Sequence, residues 1–310
     1  MEYRYLGKSG LKVSAIGLGT NNFGRRLDAD ATALVINHAL DMGVTMIDTS
    51  NSYGDGYSED YIGRALKGKR DKAVIATKVS STVGDGPNDG GNSRQHIMAA
   101  VEDSLCRLQT DYIDLYQIHW HDPNVPIEET LRALDDLVRQ GKVRYIGCSN
   151  FTAWQVCEAA WTSRSLGVAS FASVQPRYSL MDREIETELV PFCDAYGVGI
   201  LPYYPLANGF LTGKYRRGEA VPTGTRLAEN DRGMFTDANF DLLDKLEAFC
   251  EARGHTVLEL AFAWLLANDA VSSVIAGATR VEQIIANARA ASWQLTADEV
   301  AEVNAIVEAA

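Results

Sequence analysis

Asp48, Tyr53, Lys78 and His119 can each hold or move a proton, and each stands at or just beyond the end of a short apolar run. Val44-Thr45-Met46-Ile47 ends in Asp48, and Tyr53 follows after Thr49-Ser50-Asn51-Ser52. Ala73-Val74-Ile75-Ala76-Thr77 ends in Lys78, and Ile113-Asp114-Leu115-Tyr116-Gln117-Ile118 ends in His119. Runs of this kind are expected to be buried strands, and neighbouring strands would bring the four side chains to one rim. An unperturbed tyrosine, with a pKa of about 10, gives up its proton reluctantly. A lysine ammonium beside it stabilises the tyrosinate and should pull that pKa toward working pH. A carboxylate such as Asp48 would keep a buried lysine charged, and a neutral histidine could orient and polarise a carbonyl oxygen. The set suits carbonyl reduction, with hydride arriving at carbon while Tyr53 protonates oxygen. Plainer readings exist for each residue alone: a structural Asp48–Lys78 pair, a loop tyrosine, or a packed His119 beside Trp120, His121 and Asp122. A two-histidine metal site there lacks a third ligand, so no metal is expected.

The elements that must position these groups alternate along the chain. A small hairpin is expected at 3–6 and 11–13, around Gly7-Lys8-Ser9-Gly10. Strands follow at 14–19, 44–48, 73–78, 113–118, 143–148, 172–175, 198–202 and 272–275. Helical patterns fall at 30–42, 58–67, 93–108, 128–140, 152–166, 183–196 and 256–267. A last crossover helix fits 280–289, with an extra C-terminal helix at 296–308. Ser93, Thr152 and Thr296 are placed to cap helix starts, and Gly43, Gly141, Gly167 and Gly197 stand where helices should stop. Eight strand–helix units without a composition break predict one α/β domain over residues 1–310, a (β/α)8 barrel with an N-terminal hairpin and an extra C-terminal helix. Two long loops, 80–92 and 205–236, are expected on the face where barrel enzymes carry their sites. A dinucleotide-binding doubly wound sheet is the rival. Gly17-Leu18-Gly19 and Gly24 follow an apolar run, but their spacing is GxGx4G rather than GxGxxG, and six units would suffice.

Composition narrows the function classes. The 310 residues carry a formal net charge of −12, which argues against nucleic acid or an anionic membrane as partner. An anionic cofactor would need a local basic site. The five cysteines are scattered without a CxxC pair, as expected of reduced thiols in a cytoplasmic protein. No apolar run reaches the ~18 residues of a membrane span.

From about Tyr3 to Val307 the chain resembles the aldo-keto reductase superfamily. The resemblance rests on Gly43 to Gly54 with Glu59 and the helix to Leu66, on Ala76-Thr77-Lys78, on Asp114 to His119, and on Gly141 to Phe151. It implies that Asp48, Tyr53, Lys78 and His119 form the catalytic tetrad, with NADPH (NADP+) as cofactor and a small-molecule carbonyl compound as substrate. It implies further that Ser149, Asn150 and Gln175 bind the nicotinamide carboxamide and that Tyr203 stacks on the ring. The family commonly has Ser or a small residue where Tyr204 stands. Leu206, Gly209, Gly213 and Lys214 would fall in the loop covering the cofactor. Gly277, Thr279, Arg280, Gln283 and Asn287 would hold its adenosine-phosphate end, with Arg280 on the 2′-phosphate. Phe23 and Trp120, with Tyr53, would line an aromatic, mostly apolar substrate pocket. Two other functions stay open: an NADPH-binding regulatory subunit of the same fold, like potassium-channel β subunits, and an unrelated phosphosugar barrel enzyme.

Overall fold

In a computed structural model, which describes residues 1–309, the chain opens with an antiparallel hairpin of β1 (Tyr3–Tyr5) and β2 (Lys12–Ser14). Eight parallel strands follow: β3 (Ile16–Gly19), β4 (Met46–Asp48), β5 (Val74–Val79), β6 (Ile113–Ile118), β7 (Val143–Ser149), β8 (Phe171–Gln175), β9 (Gly199–Ile200) and β10 (Val274–Gly277). They pair in sequence order from β3 to β9, and β10 lies beside β3. Parallel bridges Ile200↔Val271 and Tyr203↔Ile275 join the two remaining edges, so the sheet closes on itself. This is the (β/α)8 barrel. The closed ring, with β10 returning to β3, excludes the doubly wound sheet, whose edges stay open.

Helices lie between the strands: α1 (Ala29–Asp41), α2 (Tyr57–Ala65), α3 (Arg94–Leu108), α4 (Ile127–Arg139), α5 (Ala153–Leu166) and α6 (Leu189–Tyr196). The chain continues through α7 (Arg226–Glu229), α8 (Asp237–Glu251), α9 (Val257–Leu266), α10 (Val281–Ala290) and α11 (Ala297–Glu308). The expected caps form. Ser93 Oγ accepts the His96 N–H at 3.2 Å, and Thr296 and Glu299 exchange side-chain bonds with each other's backbone. Gly167 and Gly197 end α5 and α6 at φ +65° and +70°, a conformation that costs glycine little.

Three expectations need correction. The helix expected at 183–196 is a 3-10 turn, Glu184–Glu186, followed by α6. Pro191 has no N–H to bond residue 187, so it fits only in the first turn of a helix beginning at Leu189. The expected strand at 198–202 is regular only over Gly199–Ile200, because Pro202 cannot donate to a ladder. Helix α8 lies in a stretch where no element is expected from the sequence, and the loop before it contains the single turn α7.

The main core fills the space between sheet and helices, and a smaller cluster of Leu6, Val13, Met46, Ala76, Leu115, Leu201 and Ile275 fills the barrel axis toward the hairpin. Among the described residues no helix is long and apolar enough to cross a membrane.

Candidate active site

The C-terminal ends of β4, β5 and β6 deliver the four proton-handling residues to one place, because the three strands are in parallel register as neighbours. Lys78 is fully buried, and its ammonium donates to Asp48 Oδ1 at 2.9 Å, Asp48 Oδ2 at 2.8 Å and the Thr49 carbonyl at 2.8 Å. Burial works against the Lys78 charge, but the Asp48 carboxylate and Tyr53 outweigh it and hold the ammonium pKa above its ordinary value. Tyr53 lies over this pair, with the ammonium 5.1 Å from its ring centroid.

Burial raises the Tyr53 pKa above 10, against the lowering pull of Lys78. The lysine therefore acts in the expected direction, but desolvation outweighs it and the phenol stays protonated at neutral pH. His119 meets Tyr53 edge to face at 6.0 Å between centroids and stacks on Trp120 at 5.6 Å. Burial, then the Lys78 charge, pushes its pKa down to about 3, so the ring is neutral, as carbonyl polarisation requires.

Several supporting contacts were not anticipated from sequence. Gln175 Nε2 donates to Asp48 Oδ1 at 2.7 Å and Gln117 Nε2 at 3.4 Å. The buried Ser58 hydroxyl bonds those of Thr20 and Thr49, each at 2.9 Å, and Thr20 also donates to the Asp48 carbonyl at 2.8 Å. Buried Glu59 accepts from Thr77, next to Lys78, at 2.5 Å and from Arg107 at 2.8 Å. Strand alternation carries a signal for Gln117, which lies two residues before His119 on the same face. Ser58 and Glu59 sit at the start of a helix, and nothing local marks their partners.

Asp48, Tyr53 and His119 line a cleft of about 960 Å³, with Lys78 fully buried, and Trp120, Arg280 and Gln283 line the same cleft. Of the residues expected at the cofactor, Ser149, Asn150, Gln175, Tyr203, Leu206, Gly209, Lys214, Gly277, Thr279, Arg280 and Gln283 line it. Gly213 and Asn287 do not: Gly213 closes the turn Ala207–Thr212, and Asn287 is buried in α10. Asn150 is held from both sides, donating to the His119 carbonyl at 3.0 Å and accepting from the Tyr203 hydroxyl at 2.8 Å. Left-handed backbone at Asn150, Tyr204, Ala207 and Asn208 concentrates strain along this wall.

Phe23 is fully buried in the main core and does not line the cleft, whereas Trp120 does. The backbone of residues 23–24 presses on Gly54, where a Cβ would lie 2.6 Å from the Phe23 carbonyl oxygen, and the Phe23 ring is packed in the core. In its place the wall carries Asn21, Asn22, Arg25, Arg26 and Ser52, so the cleft is more polar than expected. Arg26 is paired with Glu229, but Arg25, Lys214, Arg226 and Arg280 have no carboxylate partner among the described residues. Four uncompensated cations in a chain of net charge −12 mark this cleft as a place for an anion.

This chain belongs to the aldo/keto reductase family. The family model matches residues 15–308. A probable voltage-gated potassium channel subunit beta of Arabidopsis thaliana is 38% identical over 303 residues, covering 94% of this chain and 91% of that one. The uncharacterized oxidoreductase YrpG of Bacillus subtilis is 39% identical over 296 residues, 92% and 89% of the two chains. The L-glyceraldehyde 3-phosphate reductase of Escherichia coli K12 is 35% identical over 305 residues, 94% and 87%. Aldo/keto reductases generally use a nicotinamide cofactor, and oxidoreductase names among the relatives support that class here.

Proposed function

We propose that this aldo/keto reductase reduces small aldehydes or ketones to alcohols with NADPH, Tyr53 serving as the proton donor. The observation that carries the reading is Tyr53 held protonated over the buried Lys78–Asp48 pair, beside a neutral His119. When bound, the nicotinamide supplies the hydride to the carbonyl carbon. His119 orients the carbonyl oxygen, and the Tyr53 O–H bond breaks as its proton passes to that oxygen. Lys78 meets the developing tyrosinate with a fixed positive charge, and Asp48 keeps that charge in place.

The cleft's residues fit a nicotinamide dinucleotide phosphate. Ser149, Asn150 and Gln175 offer polar groups near the tetrad, Tyr203 offers an aromatic face, and Lys214, Arg226 and Arg280 offer unpaired cations farther along. Arg280 stands at the start of α10, where backbone N–H groups also favour an anion. It is our candidate for the 2′-phosphate.

NADPH oxidation against a panel of aldehydes, with Tyr53→Phe alongside, tests the proposal. Turnover by the parent and its collapse in the variant, with NADPH binding retained, is the expected result. Equal loss of binding and turnover would remove Tyr53 from the acid role. The channel-subunit name of the Arabidopsis thaliana relative favours a second reading, an NADPH-binding regulatory subunit. NADPH binding without turnover of any aldehyde would select it.

A further inference from the structure

Strands β4 and β8 lie four positions apart in the eight-stranded ring, on opposite sides of the barrel. Yet Gln175, the last residue of β8, reaches Asp48, the last residue of β4, with Nε2 at 2.7 Å from Oδ1. Both side chains are buried, at 2% and 3% exposure. The Gln175 backbone is fixed as well, its carbonyl accepting from Ser149 Oγ at 2.8 Å and from the Asn150 N–H at 3.1 Å. The amide is thus a tie across the barrel mouth, anchored on the β7–β8 side and ending on the carboxylate that holds Lys78.

A carboxylate rotates easily about its last torsion, whose preference is broad. Lys78 alone leaves one rotational axis of the ion pair undefined. A second donor, coming from the opposite wall, fixes the plane. Gln117 adds a third at 3.4 Å, too long to do this by itself. Gln175 also lines the cleft, and its Oε1 has no hydrogen-bond partner among the described residues. One side chain can therefore serve the cofactor and the ion pair together.

We propose that Gln175 is a positioning residue of the tetrad: through Nε2 it sets the plane of the Asp48 carboxylate, and hence the place of the Lys78 ammonium beneath Tyr53. This rests on the reductase reading, and goes beyond the carboxamide contact that the family resemblance implied for Gln175.

The test uses two variants of the full chain. In Gln175→Glu the introduced carboxyl meets Asp48 at hydrogen-bond distance. Two carboxylates so close cannot both ionise, so one proton is shared between them. Lys78 shares Asp48 with this position and is the charged neighbour near neutral pH, while Tyr53, His119 and Tyr203 line the same cleft and are uncharged there. An infrared titration of the cofactor-free protein should show a protonated carboxyl persisting well above the ordinary glutamate range of about 4.3, absent from the parent. An introduced group titrating in that ordinary range would overturn the contact.

Gln175→Met, which keeps the bulk and removes the donor, should lower kcat at saturating NADPH by about tenfold to a hundredfold. The Gln175→Glu variant should keep more activity at low pH, where its O–H replaces the amide donor, and lose it as the shared proton leaves. A loss confined to NADPH affinity, with kcat and its pH profile unchanged in both variants, would reduce Gln175 to a cofactor contact. An inactive parent would count against the reductase reading alone, since the infrared titration still decides the tie.

Discussion

Lys78 uses all three of its ammonium protons on two neighbours, two on the Asp48 carboxylate and one on the Thr49 carbonyl, with every distance between 2.8 and 2.9 Å. A buried ion pair broken on one side leaves an uncompensated charge, at about 3–5 kcal/mol. Asp48→Asn should lose roughly that much stability by the same principle, which thermal denaturation would measure. The pH dependence should also change. In the parent, the folded-state pKa of Lys78 is raised, so its stabilisation is fully present below the unfolded lysine value of about 10.4 and fades as pH rises through the folded value. Without the carboxylate, burial should depress that pKa instead. Stability should then rise with pH, from the depressed value up to the unfolded one. The same slope in both proteins would mean Asp48 does not hold the lysine charge.

The two rings over this pair make a second prediction. With its pKa pushed down to about 3, His119 stays neutral throughout the ordinary working range. Reduction should therefore show no histidine limb near pH 6.5. Tyr53 must be protonated to act, and burial raises its pKa above 10, so reduction should fail only on the far alkaline side. Alcohol oxidation, which needs the tyrosinate as base, should climb with pH over the same interval. An inflection near pH 6.5 in kcat for reduction would contradict a neutral His119.

How the sequence foretold these positions follows from where the information lies. Asp48 and Lys78 each end a short run of apolar residues and threonine, and His119 ends an alternating one broken only by Asp114 and Gln117, so strand patterning puts all three at strand ends, and parallel order puts them together. The cleft wall was less legible. Phe23 has the chemistry of a pocket aromatic, but whether a loop side chain turns inward depends on contacts distant in sequence, here the packing of residues 23–24 on Gly54. The cross-barrel contact of Gln175 with Asp48 joins residues 127 apart, and no local pattern encodes it. Helix α8 does carry a periodic signal, with Phe240, Leu243, Leu246 and Phe249 on one face and Thr236 as cap. The Gly- and Arg-rich stretch before it carries no such period and masks it.

Arg280 gives a third prediction. It is exposed at the start of α10, has no carboxylate partner among the described residues, and lines the cleft. Arg280→Ala should weaken NADPH by about tenfold, the scale of a charge-assisted contact in partial exposure, and leave NADH nearly unchanged. Fluorescence titration with both cofactors decides it, and equal weakening of the two would remove Arg280 from the 2′-phosphate. Added salt should narrow the gap between cofactors in the parent and do little in the variant.

The short helix α7 supplies the last. It is tied to the opposite wall at both of its ends: Arg226 donates to Asn21 Oδ1 at 3.4 Å and lies 5.1 Å over the Tyr204 ring, while Glu229 pairs with Arg26. The two segments, which supply Asn21, Asn22, Arg25, Arg26 and Arg226 to the cleft lining, are therefore tied to each other, and the tie is expected to slow release of a bound cofactor. The Arg26–Glu229 pair is partly exposed, so it is worth only ~0.2–1 kcal/mol. Arg26→Ala or Glu229→Gln should accordingly speed NADPH release by no more than about fivefold, with kcat affected only if release limits turnover. Because the two residues act through one contact, the double variant should release cofactor no faster than either single one. Stopped-flow displacement measures all three rates. Additive acceleration would show that the residues grip the cofactor separately, and unchanged release would show that the tie does not slow it.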